Sequence, residues 1–565
     1  MEQRTRSQQF GDRWSQLQSE RKRVVESKWK DIAEYFCPER GRFESNESEP
    51  DTSQALRGSK ILDSTGQYAM GICVNGMYSQ LSSPVSKWFR LAFEDDALND
   101  NQAAKAWIAR KEDKVYTYFR RSNWYSSIRS TDAELLAFGM ACLFQGESSD
   151  PPVYYRNFTA GEYWAGQNSQ GVVDTLYRRS MMTAAQMVQR FGENRVSRKV
   201  RESSTKAPAT PYEVLHAVQP RKQYDPLKLD KINMPWESCY LEVGNDYSLL
   251  AESGFKRFPY IVPRYLTISN DVYACGSPGW SSLPDNKMLQ DMEESKVRLI
   301  HKLVEPPMIA PTSLKGRPLR SGAGGITYAD GPGATENLKP LYQVQGRINE
   351  LQEEMAEVRQ RILRAWYYDI FLMLQQVGAQ GVTATQILEM AEEKKLQLGP
   401  LVSVHTDDIL EPAVDYLVQI VIEEDLLTDP PPQEIMGAGY KVEFISQLAQ
   451  AQRQQEARSI DQTIAFTGSA ATMYPEVLDC LDIDEAWRRR AELTGLPIEL
   501  VRGTDLIEQI RAQRAEQQAQ LEQAQQAMAM VQGAQQLSQT STDPAQPNAL
   551  TDIAKMVGQQ AGVPG

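Results

Sequence analysis

The segment from Tyr273 to Thr385 constrains this chain most, because it reads as two long amphipathic helices flanking a compact Pro/Gly-rich insert, then a Gly/Gln loop. Pro284-Asp285 reads as the opening of the first helix, since a proline in the first turn lacks only an N–H that has no partner there. That helix is predicted to run to Glu305, where Pro306-Pro307 stops it. Leu289, Met292, Leu299, Ile300 and Leu303 keep helical spacing, with Lys287, Glu293, Glu294, Lys296 and Arg298 between them. The second helix, predicted from about Val344 to Met373, spaces Val344, Ile348, Leu351, Met355, Val358, Ile362 and Trp366 three or four residues apart. Such a stripe drives helices to pack side by side. At about 1.5 Å per residue the two would span roughly 30 and 45 Å. A helical hairpin with an irregular tip is a mechanical part more readily than a catalytic one.

The chain has 565 residues, enough for several domains and a large core. Its net charge of −13 and the lack of a visible basic run speak against tight, specific DNA binding, which works by neutralising phosphates. Any DNA contact is therefore expected to be loose and local. The six cysteines, Cys37, Cys73, Cys142, Cys239, Cys275 and Cys480, form no CxxC pair and read as reduced, buried thiols. The N-terminus MEQRTRSQQF lacks the apolar core of a signal peptide, and no stretch of about 18 apolar residues offers a membrane span. A soluble, cytosolically made product is expected.

Along the chain, Arg13 to Phe36 reads as a helix with Trp14, Leu17, Val24, Val25, Trp29, Ile32 and Phe36 near one face. Ile61 to Leu81 reads as helical, with Gly66, Gly71 and Gly76 suggesting close packing. Trp88 to Phe93 is a predicted strand, and Ala103–Arg121 and Tyr125–Leu143 are predicted helices. Residues 153–262 change texture to short alternating runs, with strands predicted at Val172–Tyr177, Tyr212–Val218 and Cys239–Val243. A helix from Ala184 to Phe191 behind the Thr183 cap interrupts them. Further helices are predicted at Thr385–Lys395, Pro412–Leu427, Phe444–Phe466 and Ile483–Leu493. Residues 504–537 form a Gln/Ala/Glu helix whose apolar stripe, Leu506, Ile507, Ile510, Leu521, Met528 and Val531, is thin. That stripe suits association with identical neighbours, and a solvated tail is the alternative. Residues 538–565 read as disordered. The fold class is α+β, mainly α.

Catalytic chemistry leaves no local signature. Gly322-Ala323-Gly324-Gly325 and Gly331-Pro332-Gly333 lack the Lys-Ser/Thr ending of a phosphate loop, so turn chemistry explains them. The three histidines, His216, His301 and His405, have no other His or Cys at ligand spacing. His405 is read in a loop with Asp407 and Asp408, as a solvated acidic turn. Asp482 and Asp484 suit the positive end of a helix. No cofactor, metal site or enzymatic activity is expected.

Several segments, in order from about residue 60 to 430, resemble the portal, or head-to-tail connector, proteins of short-tailed, podovirus-type bacteriophages. They include Gly76-Met77 with Ser83-Pro84 and Trp88-Phe89-Arg90-Leu91, then Ser122-Asn123-Trp124 and Phe138-Gly139-Met140-Ala141. Arg178-Arg179 with Met182-Thr183, and Phe258-Pro259-Tyr260 with Pro263-Arg264-Tyr265, continue the series. The clearest are Gly276-Ser277-Pro278 with Leu283-Pro284-Asp285, and Val382-Thr383-Ala384-Thr385.

The resemblance implies a dodecameric ring around a DNA tunnel at one capsid vertex of the virion, assembled in the host cytoplasm. Residues 1–283 would then be the N-terminal wing, 284–305 the first stem helix, 306–343 the clip and 344–374 the second stem helix. Residues 375–382 would be a tunnel loop, 383–435 wing helices, 436–503 the crown and 504–537 a C-terminal barrel helix. Double-stranded DNA would slide past Gln375, Gln376, Gly378, Gln380 and Gly381 without sequence preference. Here Gly381-Val382 stands where some relatives carry charges, so the loop is expected to lubricate rather than grip. Lys315, Arg317 and Arg320 in the clip would dock the terminase large subunit and then tail or adaptor proteins, with solvated loop charges as the plain alternative. The major capsid protein is a further implied partner, and no membrane is. The rival readings are a terminase-like packaging enzyme and an internal scaffold or core protein.

Overall fold

The computed structural model describes residues 5–43, 58, 60–95, 98–99, 101–228, 230–304, 308–309, 339–340, 348–376, 398–445, 447–471, 474, 476, 482–494, 507, 509–522 and 525. The chain divides into two compact units, Met1–Asn99 with Trp107–Gln452, and Asp100–Ala106 with Arg453–Gly565.

In the first unit the N-terminal helix predicted as one piece is two, α1 (Arg6–Val24) and α2 (Glu26–Tyr35). Its start is earlier than predicted because Thr5 and Gln8 form a capping box that satisfies two otherwise orphaned N–H groups. The predicted apolar face is real, since Trp14, Leu17, Val25, Trp29, Ile32 and Phe36 are all buried. Helix α3 (Thr65–Leu81) follows, then strand β1 (Phe89–Phe93) at the predicted place. Helices α4 (Gln102–Arg121) and α5 (Trp124–Phe138) come next. Sequence periodicity carried α5 on to Leu143, but Gly139 adopts φ 83° and its N–H caps the Leu135 carbonyl. That left-handed stop frees Cys142 to open strand β2 (Cys142–Glu147).

The β-rich middle is two antiparallel sheets. Strand β2 lies between β3 (Val153–Phe158) and the short β9 (Tyr260–Ile261). The larger sheet is a meander of β4 (Tyr163–Gln167), β5 (Val173–Thr183), β6 (Pro211–Pro220), β7 (Trp236–Glu242) and β8 (Ser248–Phe255). The three strands predicted from alternation sit in β5, β6 and β7. Helices α6 (Ala184–Phe191) and α7 (Arg198–Lys206) interrupt the meander between β5 and β6. α6 starts where predicted, with Thr183 and Gln186 in a second capping box. α1 closes one face of the sheet, where Trp14 meets Trp164 edge-on at 5.5 Å.

The long helix α8 (Pro278–Val304) leads into the insert, whose two ends pair as β10 (Met308–Ile309) and β11 (Lys339–Pro340). Helix α9 (Ile348–Ala365) returns, and α10 (Tyr368–Gln376) continues it after a break. A helical stretch at 398–405 widens into a π-turn at Thr406–Leu410 before α11 (Glu411–Asp425). The helix expected at Thr385–Lys395 lies outside the described residues. The predicted start of a helix at Phe444 is instead the end of strand β12 (Tyr440–Phe444), which pairs antiparallel with β1 from Phe89↔Phe444 to Phe93↔Tyr440. Helix α12 (Gln447–Ala471) starts just beyond it.

In the second unit, helix α13 (Ile483–Thr494) carries Arg490 against Asp461. Arg511 makes a two-pronged pair with Asp484 at 2.6 and 2.7 Å. The Gln/Ala/Glu tail is helical at 507, 509–522 and 525, and the stretch after Ser538 lies outside the described residues.

Candidate functional site

The helical hairpin starts six residues earlier than its sequence suggests, at Pro278 in place of Pro284. α8 opens at Pro278 and runs through Pro284, which loses one intrahelical hydrogen bond there. Tertiary contacts at the C-terminus of α5 account for the earlier start. Ser277 Oγ donates to the Ala137 carbonyl at 3.1 Å, and Trp280 Nε1 donates to the Phe138 carbonyl at 2.8 Å. Trp29 Nε1 reaches the same Phe138 carbonyl at 2.9 Å, so two indoles satisfy one end-of-helix acceptor. Gly279 is obligatory in this seat, since a Cβ there would lie 2.2 Å from the Ala137 carbonyl oxygen.

The base of the hairpin is then locked from α2 and the segment before α3. Asn286 Nδ2 donates to the Tyr35 carbonyl, and Lys287 pairs with Asp31 at 2.7 Å. The Gln290 side chain accepts from the Leu62 and Asp63 N–H groups and donates to the Asp63 carbonyl. Between the two helices, Arg359 bridges Asp63 at 2.8 Å and Glu293 at 2.6 Å. Arg361 approaches Asp285, and Trp366 Nε1 donates to Ser282 Oγ at 3.0 Å. These pairings run in opposite directions along the two helices, so α8 and α9 are antiparallel. Burial would raise the Asp63 carboxyl, but the bonds from Thr65 and Arg359 outweigh it and hold it below the usual range.

The predicted stripe on the second helix is the packed face, with Met355, Val358, Ile362 and Trp366 buried. On α8 only the near half is covered: Leu283 and Leu289 are buried, whereas the predicted core residues Ile300 and Leu303 are exposed. The single second helix expected to reach Met373 breaks at Tyr367, which takes φ 54°, a left-handed value unusual for a bulky residue. Its hydroxyl lies 3.3 Å from that of Tyr265. Beyond the break, Phe371 packs so closely on α3 that a Cβ on Gly76 would fall 2.2 Å from its ring.

Of the residues expected to face DNA, Gln375 and Gln376 are the last two of α10. Gly378, Gln380 and Gly381 lie outside the described residues, as do Lys315, Arg317 and Arg320. The ends of the insert that carries those three cations are held together by the β10–β11 pairing, Met308↔Pro340 and Ile309↔Lys339.

The histidines behave differently from their sequence context. His301 is exposed on α8. His216 is buried, stacked on Tyr240 at 4.2 Å and bonded to Ser238, and burial pushes its pKa down to about 3. His405, read from sequence as part of a solvated turn, is fully buried 3.0 Å from Asp132 of α5. Helical rotation is the physical reason: His405 ends a helical stretch facing inward, and Asp407, two residues and about 200° further round, is exposed with Asp408.

Glu237, Cys239 and Glu252 bring three metal-type ligand atoms within 4.8 Å of one another. Guanidinium groups already fill the cationic role there, with Arg6 bound to both carboxylates and Arg221 bound to Glu252 at 2.6 Å. The Arg6 bonds hold the Glu252 carboxyl down at about 2. Burial pushes the Cys239 thiol up to about 12, far from the thiolate a metal needs. The group is an ion network that ties α1 to the sheet.

Sequence reasoning also missed a concentration of charge. Residues 184–206 hold six basic residues against two acidic ones, and no one run of the sequence is long enough to announce it. Folding α6 and α7 back to back gathers them.

The family model described as bacteriophage head to tail connecting protein matches residues 7–501. A "Probable portal protein" of Bordetella phage BPP-1 is 36% identical over 548 residues, covering 96% of this chain and 97% of that one. A "Portal protein" of Salmonella phage epsilon15 is 35% identical over 548 residues, with the same coverage of 96% and 97%. A chain from the virion of a native gene transfer agent particle aligns over 76% of this chain and 92% of that one. Its TM-score of 0.33 and 11% identity are too loose to carry an argument. With a model spanning nearly its whole length and two relatives above a third identical, this chain belongs to the bacteriophage head to tail connecting protein family.

Proposed function

We infer that the protein is a portal: a ring-forming connector in the phage virion through which double-stranded DNA enters and leaves the capsid. Family membership over residues 7–501 supports the connector role, and capsid and tail components are the partners it implies. The observation that carries the ring is the far half of α8. Val297, Ile300, Leu303 and Val304 are all exposed there on one long helix, though apolar surface of this kind is normally covered. A neighbouring copy in a dodecamer supplies the cover. Among the described residues no helix is long and apolar enough to cross a membrane.

On this reading 284–305 and 344–374 are the stem and 306–343 the clip, where Lys315, Arg317 and Arg320 dock the terminase large subunit and later the tail or adaptor proteins. Residues 1–283 and 383–435 form the wing, 436–503 the crown and 504–537 the barrel. The ring is passive, and the terminase motor supplies the ATP hydrolysis. The loop 375–382, with Gln375, Gln376, Gly378, Gln380 and Gly381, lines the tunnel and lets DNA slide because it offers no fixed cation to hold phosphates. Replacing Gln375, Gln376 and Gln380 by Lys should slow DNA packaging in a reconstituted capsid reaction. Unchanged packaging rates would remove the loop from the tunnel.

A further inference from the structure

The helical hairpin of α6 and α7 is an appendage of the large sheet with no role in the hairpin site above. Its inner face, Ala184, Met187, Val196 and Val200, packs on Val214 and Leu250. Its outer face carries Arg190, Arg195, Arg198, Lys199, Arg201 and Lys206, all exposed.

Elsewhere in this unit cations are typically matched to carboxylates, as Arg6 is to Glu237 and Glu252, Lys111 to Asp425 and Arg359 to Asp63. On this outer face Arg198 alone is matched, to Glu202 at 2.7 Å. Arg190 donates to the Tyr240 hydroxyl, and Arg201 donates to the Glu193 and Val196 carbonyls. Arg195, Lys199 and Lys206 have no carboxylate within ion-pair distance among the described residues. Arg198 and Lys199 also occupy the first turn of α7, where the helix dipole disfavours positive charge. An unneutralised cluster in an unfavourable place, on a chain of net charge −13, points to an anionic partner.

The chemistry of the face selects among anions. None of the large exposed apolar residues falls between 184 and 206, so the apolar centre of a protein–protein interface is missing. Nor does an exposed aromatic ring offer a platform on which unpaired bases stack. What remains is cations with Gln186, Gln189, Asn194 and Thr205 between them, the groups that contact a phosphate backbone. We propose that the α6–α7 hairpin binds the backbone of double-stranded DNA without sequence preference. This surface is separate from the loop 375–382 and needs no ring, so it stands or falls independently of the portal reading.

The test is fluorescence anisotropy of a labelled random-sequence duplex with the purified full chain, titrated at several salt concentrations. If all five cations without a carboxylate partner engage phosphates, log affinity should fall against log salt with a slope of about −4.5. The R195Q/K199Q/K206Q variant should reduce that slope by about 2.7 and weaken binding roughly a hundredfold at low salt. A K222Q/K231Q variant, altering exposed lysines outside the hairpin, should bind like the unaltered chain. Should the triple variant fail to fold, K199Q/K206Q alone should reduce the slope by about 1.8. An unchanged slope, an equal loss in the control variant, or tighter binding of poly-glutamate than of the duplex would overturn the proposal, the last in favour of an acidic protein partner.

Discussion

His405 Nε2 and Asp132 Oδ1 lie 3.0 Å apart with both side chains fully buried, and neither has another hydrogen-bond partner among the described residues. The two groups are in direct contact. Through it α5, which seats the start of α8, is coupled to the helical stretch 398–405. Two polar side chains buried against each other stabilise little over an apolar pair, but removing one leaves the other without a partner. Asp132→Leu should therefore cost about 1–3 kcal/mol, read as a fall in the urea midpoint. The D132L/H405L double variant should recover part of that loss, and additive losses would contradict the coupling.

Gly76 and Phe371 give a second prediction. Gly76→Ala should destabilise by about 1–3 kcal/mol, because both the ring and α3 must shift to admit a methyl group. Adding Phe371→Leu to it should restore part of the melting temperature, and no restoration would show that the contact is not the cause.

The ion bridge at the hairpin base is testable without touching the core. Arg359→Ala removes both the Asp63 and the Glu293 partner and leaves two carboxylates in part-buried positions. A loss of about 1–3 kcal/mol is expected, together with faster proteolysis of the hairpin. Arg359→Lys should restore only part, since one ammonium replaces a planar fork.

Glu252 sets a pH dependence. Its folded carboxyl is held at about 2 by Arg6 and Arg221, against an ordinary 4.5. A carboxyl held below its unfolded value contributes stability above that value and loses it as the pH falls toward the folded one. The stability gap between the unaltered chain and E252Q should be full at neutral pH and shrink from about pH 4.5 downward. A gap that stays constant from pH 7 to 3 would show that Glu252 does not titrate this way.

How far the sequence spoke can be judged from particular elements. The stripe Met355, Val358, Ile362 and Trp366 was legible because helical periodicity survives folding intact. The Thr183 cap was legible because its signal is local. The true start of α8 was hidden, since Pro278 gains its place from Ser277 and Trp280 meeting the end of α5, far away in sequence. Strand β12 was hidden for a similar reason: its five residues abut a helix, and only pairing with β1 makes them a strand. His405 looked solvated because the acids beside it are, and the stretch read as a loop is helical, so neighbours in sequence face opposite sides. At the candidate site, the apolar stripe of the second helix followed from the pattern while the polar pairings at the hairpin base did not, and away from it the basic face of α6 and α7 appeared only once two short helices were folded together.

On the portal reading, α8 and α9 pack around an axis to form a channel. Electron microscopy of the purified full chain tests it most directly. Closed rings with a central opening are expected, lined by the paired helices Pro278–Val304 and Ile348–Ala365. Monomers, or open filaments without a central hole, at the same protein concentration would contradict it.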